Sequence, residues 1–263
     1  MTILFDATLA LAKVLGNVRG STATGGSTTT IVDSTHSEAN DFWNDGTIWI
    51  QSGNAANNSR KVLDWVLSST TYSVTAFSSA VANGNAYSVL VGDWPRDKLI
   101  DFINEALRDI GDVPAISTTL TTVANQEAYT LPAGVFNVTR VEVASEKVSP
   151  YGYVPQVGTW YEQAGSLYFA TNKEPQESGY IIRLTYASPH AVLDTDDDTI
   201  SGYVHLSRLV WAAAVYAWQW RIQMSKEDEP MYGQQMAYAV AMAERDKMRH
   251  PISLPVKAPR NSL

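Results

Sequence analysis

The pattern of apolar and polar residues first predicts a helix and then a β module. Apolar residues from Leu4 to Leu15 recur at helical spacing, which predicts a helix within residues 1–17. Residues 18–29 are rich in Gly, Ser and Thr and are expected to form a loop. Short β-prone runs separated by turn residues follow, so a small antiparallel barrel or sandwich is expected over residues 18–92. These runs are Thr30–Val32, Thr47–Gln51, Lys61–Trp65, Tyr72–Thr75 and Tyr87–Val91.

The middle of the chain predicts a helical unit that a β segment interrupts. Pro95 suits the first turn of a helix, because its φ angle is preset and it has no N–H to leave unpaired. An apolar stripe continues from Leu99 and stops at Gly111. Alternating apolar residues then indicate strands, and two more helical patterns are expected to pair as an αα-hairpin. The elements expected within residues 93–250 are a helix at 95–110, a β insertion at 120–188, and helices at 203–224 and 231–249.

The C-terminal segment 251–263 predicts an extended tail. Prolines recur at every fourth position, which forbids a helix and favours an extended or polyproline conformation. Apolar residues alternate between the prolines, and two basic residues occur without an acidic one. We therefore expect the tail to dock on a partner or to add to it as a strand. The residues assigned to partner binding are Pro251, Ile252, Leu254, Pro255, Val256, Lys257 and Arg260.

These elements together predict an α+β protein. The expected fold is a helical bundle made of a helix, a β insertion and an αα-hairpin, with a small antiparallel β module before it and an extended tail after it. The length of 263 residues suffices for one large domain or two ordinary ones. Such a chain can bury a core without disulfides or metals to hold it.

Composition excludes several classes of function. The chain has no cysteine, so a disulfide framework, a zinc finger and a thiol nucleophile are all ruled out. A net charge of -8 argues against the cationic surface that nucleic-acid binding requires. No basic region precedes the first apolar stretch, and no run approaches the roughly 20 apolar residues of a membrane helix. We therefore expect a soluble chain with no signal peptide and no membrane partner.

The residues that could carry catalysis or bind metal form no recognisable motif. The four histidines, which are His36, His190, His205 and His250, lie far apart in the sequence. Asp194, Asp196 and Asp198 have the alternate spacing of a calcium loop, but Thr199 and His205 stand where that loop needs a glycine and a glutamate. A solvated loop is the simpler interpretation of these aspartates. We expect no catalytic residues, no metal and no cofactor.

Aromatic residues are the most unusual part of the composition, and they have two interpretations. The sets Phe42-Trp43 with Trp49, and Trp160-Tyr161 with Tyr168-Phe169, could stack on sugars, but core or subunit interface is the expected role. On the helix at 203–224, two tryptophans fall close to one face and a third lies well round from them. This helix should therefore be contacted from two directions. Its candidate interface residues are Trp211, Trp218 and Trp220.

Several stretches resemble the head-to-tail adaptor (connector) proteins of tailed bacteriophages, especially those of short-tailed phages. They lie between residues 94 and 221 and read WPRDKLIDFINEALRDIGDVP, EAYTLPAGVFNVTRVEVA, SGYIIRLTYASPH and ISGYVHLSRLVWAAAVYAWQWR. The earlier stretches NDFWNDGTIWIQSG and NNSRKVLDW resemble a small β module of phage structural proteins, which the shortest adaptors lack. The resemblance lies in the order of the elements and in the general residue pattern of these stretches.

The resemblance implies a structural role in the neck of the virion. It implies a homo-oligomeric ring of twelve copies, which binds the portal through the C-terminal tail and contacts tail or nozzle proteins. DNA would pass through the channel without specific binding, and assembly would take place in the host cytoplasm. Alternatives are another neck or tail component, a carbohydrate-binding receptor module, and a hydrolase. The hydrolase alternative would use carboxylates such as Glu127, Glu142 and Glu162.

Overall fold

A computed structural model describes residues 2–16, 18–156, 159–170, 172–225 and 230–253. The chain forms two compact units, of which the first joins Met1–Ile110 to Ala191–Pro251 and the second contains Gly111–His190. Four helices and antiparallel sheets make up the described structure, so the expected mixture of α and β structure is confirmed. Within the described residues, no helix is long and apolar enough to cross a membrane.

The first unit contains all four helices, and α3 lies at their centre. Helix α3 packs against each of the other three. It begins at Leu206 rather than at 203, because Val204 and Tyr203 belong to a turn and His205 caps the helix. The Nδ1 atom of His205 accepts a hydrogen bond from the backbone N–H of Ser207 at 3.3 Å. The helices are α1 (Leu4–Leu15), α2 (Arg96–Ile110), α3 (Leu206–Met224) and α4 (Pro230–Arg249).

The β module of the first unit is one antiparallel sheet of seven strands in the order β1-β7-β4-β5-β6-β3-β2. This sheet is a half-barrel, in place of the expected small antiparallel barrel or sandwich. A short 3₁₀ helix, Leu67–Ser69, connects β5 and β6. The strands are β1 (Arg19–Thr22), β2 (Gly25–Gly26), β3 (Thr30–Val32), β4 (Thr47–Ile50), β5 (Asn58–Val66), β6 (Thr71–Val74) and β7 (Ala86–Leu90).

The expected loop at 18–29 is wrong in part, because β1 and β2 lie within it. Backbone pairing with a neighbour forms these strands, since β1 aligns Gly20 with Ser88 of β7, and β2 aligns Gly26 with Ile31 of β3. Gly, Ser and Thr side chains carry little of the apolar alternation by which a strand is recognised in a sequence. The sequence pattern therefore could not reveal a strand that its partner's backbone creates.

Aromatic side chains form the core of the half-barrel and connect it to the first helix. Trp49, Trp65, Tyr72 and Tyr87 are fully buried. The indole N–H of Trp49 donates to the hydroxyl of Thr8 in α1 at 3.1 Å, which satisfies a polar group in an otherwise apolar contact. Trp49 alternates along β4 with Ile48 and Ile50, which belong to the interior of the half-barrel, so the sheet packs its opposite face on α1.

Hydrogen bonds of backbone and side-chain groups join the two chain segments that make up the first unit. The backbone N–H groups of Leu4 and Phe5 donate to the carbonyl groups of Asp198 and Asp196, which satisfies two donors at the start of α1. Asn104 of α2 donates through its side-chain amide to the Leu193 carbonyl at 2.8 Å and accepts from the Leu193 N–H at 2.9 Å. The chain that returns at Ala191 is therefore fixed to both α1 and α2.

The second unit is built from two antiparallel sheets, with strand orders β11-β10-β14-β8 and β12-β13-β9. Its first strand begins at Val113 rather than near 120, because Gly111 ends α2 with a φ of 84° and Val113 then pairs with Ser188. Apolar side chains of both sheets, including Tyr129, form one core. The strands are β8 (Val113–Thr121), β9 (Ala128–Thr130), β10 (Val138–Ala144), β11 (Tyr153–Pro155), β12 (Trp160–Gln163), β13 (Ser166–Phe169) and β14 (Ile181–Ser188).

Candidate interaction surfaces

The aspartates with calcium-loop spacing have structural roles in the first unit. The carboxylate of Asp196 is buried, although the sequence predicted a solvated loop. It accepts the backbone N–H of Ser59 at 2.7 Å and the Ser59 hydroxyl at 2.5 Å. Arg96 lies 3.1 Å and Arg60 3.5 Å from the same carboxylate. Asp196 thus connects the returning loop to β5 and α2 through charge-assisted hydrogen bonds.

The neighbouring Asp198 shapes the turn that presents Asp196. Its carboxylate accepts the backbone N–H groups of Asp194 and Thr195 at 2.6 and 2.8 Å. These backbone hydrogen bonds lower the pKa of Asp198, because they favour its charged form. Asp196 and Asp198 therefore organise the loop, and their carboxylates already have protein partners.

A polar cluster that the sequence did not reveal lies buried within the half-barrel. Asp33 accepts hydrogen bonds from the side chains of Ser21, Thr35 and Tyr87, and the Tyr72 hydroxyl bonds to Nδ1 of His36. Nε2 of His36 lies 3.6 Å from the Asp33 carboxylate and makes no hydrogen bond. In the sequence His36 stands alone, because the other residues of the cluster come from three strands and a loop.

The titration behaviour of this cluster follows from its burial. Burial alone would raise the pKa of Asp33, but hydrogen bonds from Ser21, Thr35 and Tyr87 offset it and lower the pKa to about 2. For His36, burial has the opposite effect: it lowers the pKa of the imidazole, and the positive charge of Arg19 lowers it further. The cluster therefore holds a charged carboxylate beside a neutral imidazole.

Two other histidines, far apart in sequence, meet where α3 begins and α4 ends. The rings of His205 and His250 stack with centroids 3.7 Å apart and planes within 5° of parallel. Beside them, the Arg208 guanidinium donates to the His250 carbonyl at 2.9 Å, and the Ser207 hydroxyl donates to the buried carboxylate of Asp246. These contacts fix the end of α4, from which residues 251–263 continue.

The first aromatic set proposed as a sugar platform is mostly core. Trp49 is fully buried and Trp43 is 3% exposed. Phe42 is exposed and lies at a cavity of about 470 Å³ whose wall includes Trp94 and Trp218. A flat stacking platform is therefore not formed by Trp43 and Trp49.

The second aromatic set divides between the two faces of its sheet. Phe169 is buried in the core of the second unit, where its ring meets Tyr129 edge to face. Tyr161 and Tyr168 stack across β12 and β13 with centroids 5.1 Å apart. This half-buried tyrosine pair is the part of the second set with stacked, partly accessible rings.

The three tryptophans of α3 have different environments. Trp218 is buried and packs edge to face on Trp94. Trp220 is half-buried against Trp94 and Phe102. Trp211 is half-buried, and its ring packs against Tyr238 of α4 rather than against α2. The helix is contacted from more than one direction, and a subunit-interface role stays a prediction for Trp211, Trp218 and Trp220.

The predicted tail site lies mostly beyond the described residues. Pro251 is exposed and Ile252 is half-buried. The remaining tail residues assigned to partner binding fall outside the described part of the chain, and they are Leu254, Pro255, Val256, Lys257 and Arg260.

Two of the carboxylates considered for hydrolysis have structural partners. Glu142 is buried and forms ion pairs with Arg183 at 2.5 Å and Arg140 at 2.6 Å. Glu162 accepts the backbone N–H of Val138 at 2.8 Å. Both carboxylates stabilise the second unit through these contacts.

These observations describe a protein whose polar clusters hold its own elements together and whose exposed apolar side chains lie on α3 and α4 as well as on strands and loops. A family model described as SU10 adaptor protein matches residues 60–256, about three quarters of the chain. The chain therefore belongs to the SU10 adaptor protein family. This is a family of phage structural adaptors and not of enzymes, which confirms the class expected from the sequence. No curated protein matches the chain.

Proposed function

We propose that this protein is a head-to-tail adaptor that forms a twelve-membered ring between the portal and the tail of a short-tailed phage. The family match carries the proposal, since it includes α2, α3, α4 and every strand of the second unit. The ring would lie in the virion neck and assemble in the host cytoplasm. In this proposal, residues 93–250 are the adaptor core, and the half-barrel at 18–92 is an additional module.

The charge of the chain supports a passive channel. A net charge of -8 repels the DNA backbone at short range, and salt screens this repulsion beyond roughly 8 Å. DNA would therefore slide past the ring without specific binding.

The C-terminal tail is proposed to bind the portal as an added β-strand. Successive residues of a strand direct their N–H and C=O groups to opposite edges, so residues two apart share an edge. Pro251, Pro255 and Pro259 would all lie on one edge, where their missing N–H groups cost nothing. Residues with free N–H groups, such as Val256, would face the portal. The proline spacing thus fits a strand that pairs on one side only.

The test measures attachment of the purified protein to isolated portal rings by electron microscopy and by affinity. Deleting residues 251–263 should abolish attachment while the melting temperature stays unchanged. Val256→Pro should weaken attachment at least about tenfold more than Val256→Ala, because it removes a donor on the pairing edge. Ser253→Pro, on the opposite edge, is the matched control and should change affinity by less than about threefold.

Attachment that survives the deletion would refute the role of the tail. Equal effects of Val256→Pro and Ser253→Pro would refute one-sided strand pairing. A chain that binds assembled tails but not portal rings would instead be a tail component.

A further inference from the structure

Helix α4 has an unusual surface for a helix that packs on one side only. Residues 230–243 contain no charged side chain, yet Ala239 is their only buried member. Tyr238 and Met231 are each 55% exposed. A surface helix normally carries charge on its solvent side, so an uncharged exposed run marks a surface that another protein covers.

The two flanks of α4 differ in shape. Tyr238 and Val240 are two residues apart and therefore about 200° apart around the helix. On the Tyr238 flank, the Trp211 ring meets Tyr238 edge to face with centroids 5.5 Å apart. Together the half-buried Trp211 and the exposed Tyr238 form an aromatic surface, which we call the aromatic ridge.

The Val240 flank is concave. Here α2, α3 and α4 enclose a groove of about 330 Å³, which we call the interhelical groove. Its charged lining residues include Asp109, which accepts the Tyr216 hydroxyl, and Glu244. Its apolar wall is formed by Ile110, Ala212, Val215, Val240 and Ala243.

We propose that the aromatic ridge of one copy inserts into the interhelical groove of the next copy. This inference rests on the proposed ring and names the two surfaces that close it. Ridge and groove lie on opposite flanks of the same helix, so one contact leaves the second copy's ridge free for a third copy. Such a head-to-tail interface repeats around a ring, whereas a two-fold interface stops at a dimer.

Charge supports the same pairing between copies. The interhelical groove presents the exposed carboxylates of Asp109 and Glu244, and its two basic residues already have partners: Arg208 donates to the His250 carbonyl, and Lys247 lies 3.9 Å from Glu244. Arg249 is exposed and lies three turns beyond Tyr238 on the same flank, which carries no acidic residue of α4. The ridge flank is thus basic where it would approach Asp109, the groove carboxylate to which the described residues supply no cationic partner.

The absence of cysteine allows a direct test by disulfide cross-linking of rings on portals. Val215→Cys places a thiol in the groove and Tyr238→Cys places one on the ridge. A mixture of the two single variants should give cross-linked dimers after mild oxidation, and each variant alone should give none. The double variant should give a ladder of multimers. A double variant of Val215→Cys with the exposed Ser69→Cys is the matched control and should give no ladder.

The outcomes separate this inference from the proposed function. Rings that assemble on portals without the Val215–Tyr238 cross-link would overturn the ridge-and-groove contact and leave the adaptor proposal standing. Cross-linking of Tyr238→Cys alone would show a two-fold contact and would also overturn it. If neither rings nor portal attachment are observed, both proposals fail.

Discussion

Asp196 offers the sharpest test of how the first unit is held together. Removing its carboxylate with Asp196→Ala leaves the guanidinium of Arg96 and two donors of Ser59 without their acceptor. Breaking a buried ion pair costs about 3–5 kcal/mol, and the lower end applies because Arg96 and Arg60 are each 24% exposed and can reach water. A loss of about 3 kcal/mol corresponds to a fall in Tm of roughly 6–12 °C for a unit of this size.

Tryptophan fluorescence is the suitable assay, since seven of the eight tryptophans belong to the first unit. The matched control is Asp194→Ala, whose exposed side chain should change stability by less than about 0.5 kcal/mol. Asp196→Asn keeps the shape of the side chain and should be intermediate. If Asp196→Ala melts within a degree of Asp194→Ala, the carboxylate does not connect these elements and our reasoning is wrong.

Three further predictions concern the buried aromatic and polar groups. The first unit should lose stability as the pH falls below about 6.5, because His36 is protonated in the unfolded chain while burial lowers its pKa in the folded state. His36→Gln should flatten that part of a curve of Tm against pH. An unchanged slope would contradict the assignment. A second loss, as the pH falls from about 3.8 toward 2, should disappear in Asp33→Asn. Trp218→Ala should cost about 3 kcal/mol or more in urea unfolding, and the half-buried Trp211→Ala about 1 kcal/mol; similar costs would show that the two rings are equally buried.

The sequence was most informative where local chemistry decides the structure. Helix α2 runs from Arg96 to Ile110 because Pro95 suits its start and Gly111 ends it, and both signals are local. The β-prone runs of the half-barrel were visible for the same reason, since turn residues separate them. The exposed apolar surface of α4 could not be read in this way, because helical periodicity alone does not show which side has a partner.

The candidate sites depended on contacts between distant parts of the chain. Ser59 and Arg96 lie 137 and 100 residues from Asp196, so no spacing rule could show that its carboxylate is buried and paired. The same holds for His36, whose hydrogen-bond partner Tyr72 is 36 residues away. A lone titratable residue in a sequence has no visible environment, and only the fold provides one.

The way in which the chain leaves the helical unit and returns to it has an evolutionary consequence. The outgoing strand pairs Val113 with Ser188 of the incoming strand, and Asn104 holds Leu193 by two hydrogen bonds just after the return. Because these contacts close the segment at its base, a change in the length of its outer hairpins should leave the helices unaltered. We therefore expect differences among relatives to concentrate between these contacts.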